Sequence, residues 1–281
     1  MKIAIASGKG GTGKTFVSTN LYKTAVKYNI SVDLVDCDAE EPNVSQFLNT
    51  SSVVSQEQVF QHIPVIDTNA CSFCGKCYEY CNYNAILFIL EKNFISVVDE
   101  LCHDCGACVA ACNYGAITEK EKSLGVISDF ENNNGKIIEG RADVGVYSPV
   151  PIIKKAIRKT QHDTLVLMDS PPGISCPFVA TVAQADYVLL VTEPTPFGLN
   201  DLKLSVETLQ ELHKPYGVII NRAGLGNNEI YDWLHSQNIE IKMEIPFDKE
   251  IARTYSEGNI LVDVDSGYLK KFYNLLQSFD I

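Results

Sequence analysis

Apolar and polar positions along this chain follow two alternating rhythms. Ile3, Ala4, Ile5 and Ala6 form a short unbroken apolar run, as in a strand covered on both faces. Residues 14–29 then place Val17, Leu21 and Ala25 at helical spacing, and residues 31–38 (SVDLVDCD) return to a strand that ends in aspartates. Strand, helix and strand in this order predict a βαβ unit with a right-handed crossover. The rhythm lapses in a turn-rich, cysteine-rich stretch and resumes after it. Residues 125–140 (GVISDF, ENNNG, KIIEG) read as a hairpin around an Asn/Gly turn. A helix over 150–160, a strand over 164–169, a helix near 177–184 and a strand over 186–193 come next. They are followed by helix 199–213, strand 216–221, helix 227–237, strand 239–245 and closing helices near 248–257 and 267–279. The predicted fold class is α/β: a doubly wound, mostly parallel sheet with an inserted module. Its domains are residues 1–58 and 119–281, two halves of one domain, and the insertion 59–118 between them.

With 281 residues, 46% of them hydrophobic, the chain has ample material for such a core. Its net charge of −12 argues against broad binding of nucleic acid or anionic membrane, so neither is expected as a partner. The N-terminus runs directly into a strand, with no leader-like segment, and no apolar run reaches membrane-spanning length. The expected location is the cytoplasm. Of the ten cysteines, eight fall between Cys71 and Cys112 at regular short gaps, a pattern that suits metal or cluster ligation better than disulfides in a reducing compartment.

The stretch SGKGGTGKT (7–15) follows the first strand and opens the first helix. Its spacing, Gly8-x-x-x-x-Gly13-Lys14-Thr15, is that of a phosphate loop. Gly8, Lys9, Gly10, Gly11, Thr12 and Gly13 form a cradle whose backbone N–H groups converge on phosphate oxygens, aided by the helix N-terminus. Lys14 is suited to the β- and γ-phosphates and the Thr15 hydroxyl to Mg²⁺. Asp169, at the end of a buried strand and the start of DSPPG (169–173), is the candidate metal carboxylate, and Gly173 can offer an N–H to the γ-phosphate. Asp36 and Asp38 end the second strand at the same edge. One of them can orient the attacking water, Asp38 being further into the loop; the plainer alternative is an acidic strand end. On the residues alone, Lys9 is a second cation that softens phosphate repulsion within one chain.

KGGTGKT, VDCDAEEPN and DSPPG together resemble the deviant-Walker-A ATPases of the MinD/ParA/Mrp class, which includes the nitrogenase iron protein. The resemblance covers residues 1–58 and 119–281 and implies ATP, Mg²⁺ and ATP hydrolysis. It also implies an ATP-dependent dimer, with a second copy or a related ATPase, in which Lys9 reaches the partner's nucleotide. Asp38 would then be a catalytic switch residue and DSPPG the second switch. Asn221-Arg222 and Pro246-Phe247-Asp248 look like the adenine-side elements of that class, although each also reads as an ordinary turn.

The spacing C-x₂-C-x₂-C-x₃-C occurs twice, 31 residues apart, at Cys71, Cys74, Cys77, Cys81 and at Cys102, Cys105, Cys108, Cys112. It is the bacterial ferredoxin run, whose fourth cysteine serves the other cluster. One [4Fe–4S] cluster takes Cys71, Cys74, Cys77 and Cys112; the second takes Cys102, Cys105, Cys108 and Cys81. Gly75 and Gly106 let backbone N–H groups approach the sulfides. Zinc is the alternative, though its sites use four ligands in separated pairs. The run departs from its usual ending in proline: Asn82 and Asn113 follow the fourth cysteines, which implies a shifted potential. A two-cluster ferredoxin module within a MinD-like ATPase resembles a family of MinD-type ATPases with an inserted ferredoxin domain, over essentially the whole chain.

Cys176 parallels, by resemblance, a cluster-bridging cysteine of the nitrogenase iron protein; no counterpart of the other ligand lies near 139–147, and a small buried thiol is the simpler expectation. Cys37 reads as core, and the five histidines as surface or loop residues, with His103 beside Cys102 either tuning a cluster or facing water. The amphipathic segment 268–279 reads as a helix packed on the sheet. Three functions fit: ATP-gated electron transfer with an unknown redox or iron–sulfur partner, an iron–sulfur carrier or scaffold, and a positioning switch with redox-sensing clusters.

Overall fold

The computed structural model describes residues 1–48, 50, 52–132 and 135–279, and Asn132 by its backbone alone. The first half of the chain forms β1 (Lys2–Ala6), α1 (Lys14–Lys27), β2 (Val32–Asp36), α2 (Val44–Phe47), β3 (Ser55–Ile66), α3 (Lys76–Glu79), β4 (Ile86–Ile89), β5 (Phe94–Val97) and α4 (Ala107–Ala111). Next come β6 (Ile117–Asn132), β7 (Gly135–Ala142), α5 (Val150–Arg158), β8 (Leu165–Asp169), α6 (Cys176–Val182), β9 (Tyr187–Thr192) and α7 (Pro196–Glu211). The chain closes with β10 (Tyr216–Ala223), α8 (Glu229–Ser236), β11 (Ile241–Pro246), α9 (Lys249–Ser256), α10 (Leu261–Val264) and α11 (Ser266–Gln277).

Two compact units emerge: residues 1–57, 127–141 and 149–281 form the first, and residues 58–126 and 142–148 the second. The sheet order is β11-β10-β9-β1-β8-β2-β7-β6-β3, parallel from β11 to β7. This is the doubly wound α/β arrangement, with β1 between β8 and β9 and the strand order reversing there. The apolar run of β1 is explained by its place: Ile3, Ala4, Ile5 and Ala6 are fully buried. Phe16, Val17, Leu21 and Ala25 of α1 share one core with Phe272, Leu275 and Leu276 of α11. Among the described residues no helix is long and apolar enough to cross a membrane.

Several boundaries differ from those read off the sequence. β2 stops at Asp36, so Cys37 and Asp38 lie beyond the strand. α7 begins at Pro196 rather than 199, because Thr195 Oγ1 accepts the Gly198 N–H at 3.0 Å and caps it, while proline suits the first turn. β3 leaves no clear strand pattern in the sequence, since half of its residues are polar, most are exposed and Pro64 lies among them. The centre of the expected Asn/Gly turn, Asn133 and Asn134, lies outside the described residues.

The first unit is continuous around the point where the chain departs at residue 57 and returns at 127. Val54 N–H donates to Asp129 O at 2.8 Å, Ser55 Oγ to Asp129 Oδ2 at 2.7 Å, and Gln56 Nε2 to Ser128 Oγ at 3.3 Å. Lys136 and Lys159 pair with the same Asp129 carboxylate at 3.2 and 3.0 Å.

Within the second unit the 31-residue repeat is visible in the backbone. Phe73 and Asp104, Gly75 and Gly106, and Asn84 and Gly115 all have left-handed φ. Gly75 and Gly106 begin the equivalent short helices α3 and α4. β4 and β5 pair antiparallel, and Ile86, Ile95 and Ile117 form a small core with Cys77.

Because Phe272 is fully buried beneath α1, Phe272→Ala is expected to lower unfolding stability by about 3–5 kcal/mol in urea titrations. A loss near zero would remove α11 from the core.

Candidate functional site

The loop after β1 is shaped by close approaches that only glycine permits. A Cβ on Gly8 would meet Asp201 O at 2.4 Å, and Gly13 (φ 99) would drive a Cβ into Asn221 Nδ2 at 2.4 Å. Asn221 instead donates from Nδ2 to Thr12 O at 2.8 Å, tying the end of β10 to the loop. Gly13 starts α1, so that helix's free N–H groups face the loop. Lys14 is buried, with its ammonium on Ser7 Oγ at 2.9 Å and Lys9 O at 3.4 Å. Burial pushes its pKa down, while the Asp169 and Asp38 carboxylates pull it back up.

Three acids stand at this edge, and each has a different occupation. Asp36 accepts backbone N–H groups from Asp38 at 3.0 Å, Asn43 at 2.9 Å and Val44 at 3.0 Å, so it folds the loop that carries Asp38. Burial, reinforced by the Asp169 charge, raises its pKa well above the usual range against those bonds. Asp38 is less buried and is raised mainly by burial, against the Glu41 N–H and the Lys14 charge. Asp169 Oδ2 accepts the Thr15 hydroxyl at 2.7 Å, while its Oδ1 is buried without a hydrogen-bond partner. Burial is the largest cause that lifts Asp169 to about 6, with Thr15 and Lys14 opposing and Asp38 adding. Gly173 lies in the same DSPPG segment with φ 81.

The remaining loop and base-side residues are also engaged. The Lys9 ammonium forms an ion pair with Glu193, whose other oxygen takes Arg222 at 2.8 Å. Glu193 carries no sequence signal: it is a polar residue just past a strand whose partners, Lys9 and Arg222, lie far away in the chain, whereas Ser7 meets Lys9 O and Lys14 within the phosphate loop itself. Pro246 is the last residue of β11, Phe247 is half exposed, and Asp248 caps α9 by accepting the Glu250 N–H at 2.7 Å.

In the second unit, Cys71, Cys74, Cys77 and Cys112 line one small cavity, with Ile66, Ile95 and Ile117 behind them. Cys81, Cys102, Cys105 and Cys108 line another, beside His62 and Tyr83. Backbone N–H groups reach two of these sulfurs, Phe73 to Cys71 at 3.4 Å and Ala85 to Cys81 at 3.3 Å. Burial raises the thiols of Cys77, Cys102 and Cys108, the last to about 11. His62 faces Asp104 at 3.3 Å and the His103 ring stacks on Tyr83 at 3.9 Å, so two histidines stand beside the second quartet. Among the described residues no three His, Cys, Asp or Glu side chains are gathered closely enough to hold a single ion. Cys37 is fully buried, with its thiol pushed up by burial. Cys176 is not a buried thiol: it is exposed at the first residue of α6, while Phe178, Ala180, Thr181 and Val182 further along the helix are buried.

Residues 3–262 match the CobQ/CobB/MinD/ParA nucleotide binding domain. The chain belongs to that family. The ATPase is 32% identical over 263 residues to the uncharacterized protein MJ0579 of Methanocaldococcus jannaschii, covering 92% of this chain and 90% of that one. It is 41% identical over 228 residues to an iron-sulfur cluster carrier protein of Pyrococcus horikoshii, covering 78% of this chain but only 60% of that protein. In fold it is similar to the septum site-determining protein MinD of Pyrococcus horikoshii complexed with Mg-ADP, at TM-score 0.60 and 22% identity over 99% of this chain and 95% of that one.

The site fits an ATPase. The groups available to a triphosphate at this loop are its N–H donors and the Lys14 ammonium, and Asp38, which feels the Lys14 charge, is the least buried of the three acids. The Thr15 hydroxyl and the unpartnered Asp169 Oδ1 fit a divalent cation. Bound there, Mg²⁺ would neutralise charge on the β- and γ-phosphate oxygens.

A carboxyl whose pKa is raised on folding destabilises the fold where it is ionised, and the penalty fades as pH falls through the raised value toward the unfolded one. Asp169→Asn is therefore expected to stabilise the nucleotide- and metal-free protein at pH 7 by on the order of 1–3 kcal/mol, an advantage that disappears between about pH 6 and pH 4. Urea titrations across that range check it; a variant less stable than wild type at pH 7 contradicts it.

Proposed function

We propose that this ATPase is an iron–sulfur protein in which nucleotide-dependent dimerisation gates electron transfer through two [4Fe–4S] clusters. The observation that carries the reading is that the chain combines a phosphate loop with two cavities, each lined by four cysteines. In each quartet three cysteines come from one repeat and the fourth from the other, as a two-cluster ferredoxin requires. The ligands of a cubane bind different irons and so surround a volume, which suits these cavities better than a zinc ion, whose ligands converge on a point. Cys71, Cys74, Cys77 and Cys112 would hold one cluster and Cys81, Cys102, Cys105 and Cys108 the other, supplying one-electron chemistry.

The protein's own part is to bind ATP at Gly8–Thr15, hold Mg²⁺ through Thr15 and Asp169, and move Asp38 and the DSPPG segment with the γ-phosphate. Lys9 joins two copies, or this chain and a related ATPase, by reaching the partner's nucleotide. Asn221, Arg222, Pro246, Phe247 and Asp248 take the adenine side. The backbone supports coupling, since the loop carrying Asp38 leads through α2 into β3, which continues as far as Ile66 beside the first quartet. The expected partner is a redox or iron–sulfur protein in the cytoplasm.

A second reading, an ATP-dependent cluster carrier, is favoured by the carrier proteins among the relatives. Anaerobic electron paramagnetic resonance separates the two. Gating predicts a midpoint potential or spectrum that changes with ATP; an unchanged one removes it. Loss of the native signal as iron passes to an apo-acceptor selects the carrier.

The ligand assignment is tested by Cys112→Ser. Its reconstituted iron content should fall from about eight to about four per chain, and the surviving cluster should be the one that Cys108→Ser removes. A Cys112→Ser protein that keeps both clusters overturns the crossed assignment.

A further inference from the structure

Glu193 follows β9 at the same edge of the sheet and is buried at 8% exposure. A buried carboxylate needs counter-charges, and this one has two from distant parts of the first unit. Lys9 comes from the phosphate loop onto one oxygen, and Arg222 NH1 meets the other at 2.8 Å. The two loop lysines are thus held differently. Lys14 is fixed on Ser7 in the field of Asp169 and Asp38. Lys9 keeps a side chain 30% exposed and leans on an acid that is itself only 11% exposed. The acid is embedded and the lysine stands at the rim.

We propose that Glu193 is a charge latch for Lys9. In the nucleotide-free ATPase it holds Lys9 on its own chain, and an incoming triphosphate competes for that ammonium. Arg222 makes the exchange feasible. If Lys9 were the sole partner, its departure would strand a buried carboxylate; with Arg222 on the second oxygen, Glu193 stays paired when Lys9 leaves. Arg222 is itself fixed beside Asn221, which holds the loop through Thr12 O, so the latch and the loop share one support. Reciprocity follows: whatever free energy the latch contributes to the empty state is subtracted from nucleotide binding. Glu193 is a positioning residue, since it acts through Lys9 and not on the phosphates. The latch rests on the reading that Lys9 serves bound nucleotide.

Glu193→Gln keeps the shape and removes the charge. Titrated with a fluorescent ATP analogue and Mg²⁺, the full-length variant is expected to bind about fivefold or more tightly than wild type. In a Lys9→Ala background the same substitution should change nothing, which a merely structural role would not produce. Glu193→Asp, which keeps the charge but withdraws it from Lys9 by one methylene, should shift affinity in the same direction and covers the case in which the glutamine variant fails to fold. Affinity unchanged or weakened in these variants, or an effect that persists without Lys9, overturns the latch. If Lys9→Ala weakens binding and Glu193→Gln does not strengthen it, the latch alone fails. If Lys9→Ala binds and dimerises with ATP as wild type does, the role of Lys9 fails and the latch with it.

Discussion

Lys14 must remain an ammonium while almost wholly withdrawn from water, and the carboxyl edge of the sheet is organised by that need. Burial works against its charge, and the Asp169 and Asp38 carboxylates restore it. Those acids are themselves disfavoured as anions by the same burial, so each leans on a donor: Asp169 on the Thr15 hydroxyl, Asp38 on the Glu41 N–H. Asp36, the deepest of the three, takes three backbone N–H groups and thereby fixes the turn on which Asp38 rides. Charge, hydrogen bond and loop shape therefore form one chain of dependence. A change at Asp36, whose oxygens are taken up by backbone N–H groups, would reach the loop carrying Asp38 through the backbone.

What could be read in the sequence and what could not divide along a physical line. The phosphate loop was legible because its chemistry is local: nine consecutive residues between a strand and a helix carry the glycines, the lysine and the hydroxyl. The cysteine repeat was legible for the same reason, its offset recurring in paired left-handed residues such as Phe73 and Asp104. Glu193 was not, because its meeting with Lys9 across 184 residues depends on β9 lying beside β1 in the sheet. β3 hid because a half-exposed strand with a proline does not show the apolar run that marked β1. The exposure of Cys176 follows from its place at the first residue of a short helix whose later residues carry the burial, and seven residues give no clear face to read.

Asp36 and Asp38 show a finer limit. Their spacing suggested a pair of candidates for one task, and position in the loop favoured Asp38. The structure separates them by occupation: the Asp36 oxygens are consumed by the backbone, whereas Asp38 is only partly buried and feels the Lys14 charge. Two like residues two positions apart thus answer to different constraints, one to the backbone of the turn and one to the Lys14 charge.

The hydrogen bonds that link Val54, Ser55 and Gln56 to Ser128 and Asp129 set the outgoing and returning strands of the first unit side by side. Everything from residue 58 to 126 is therefore a detour that begins and ends at one place, and a tight turn could bridge the gap without disturbing the parallel strands. Such geometry ties the two ends of the intervening segment together by bonds that belong to the first unit itself, so the register of these strands is set without the cysteine-rich residues.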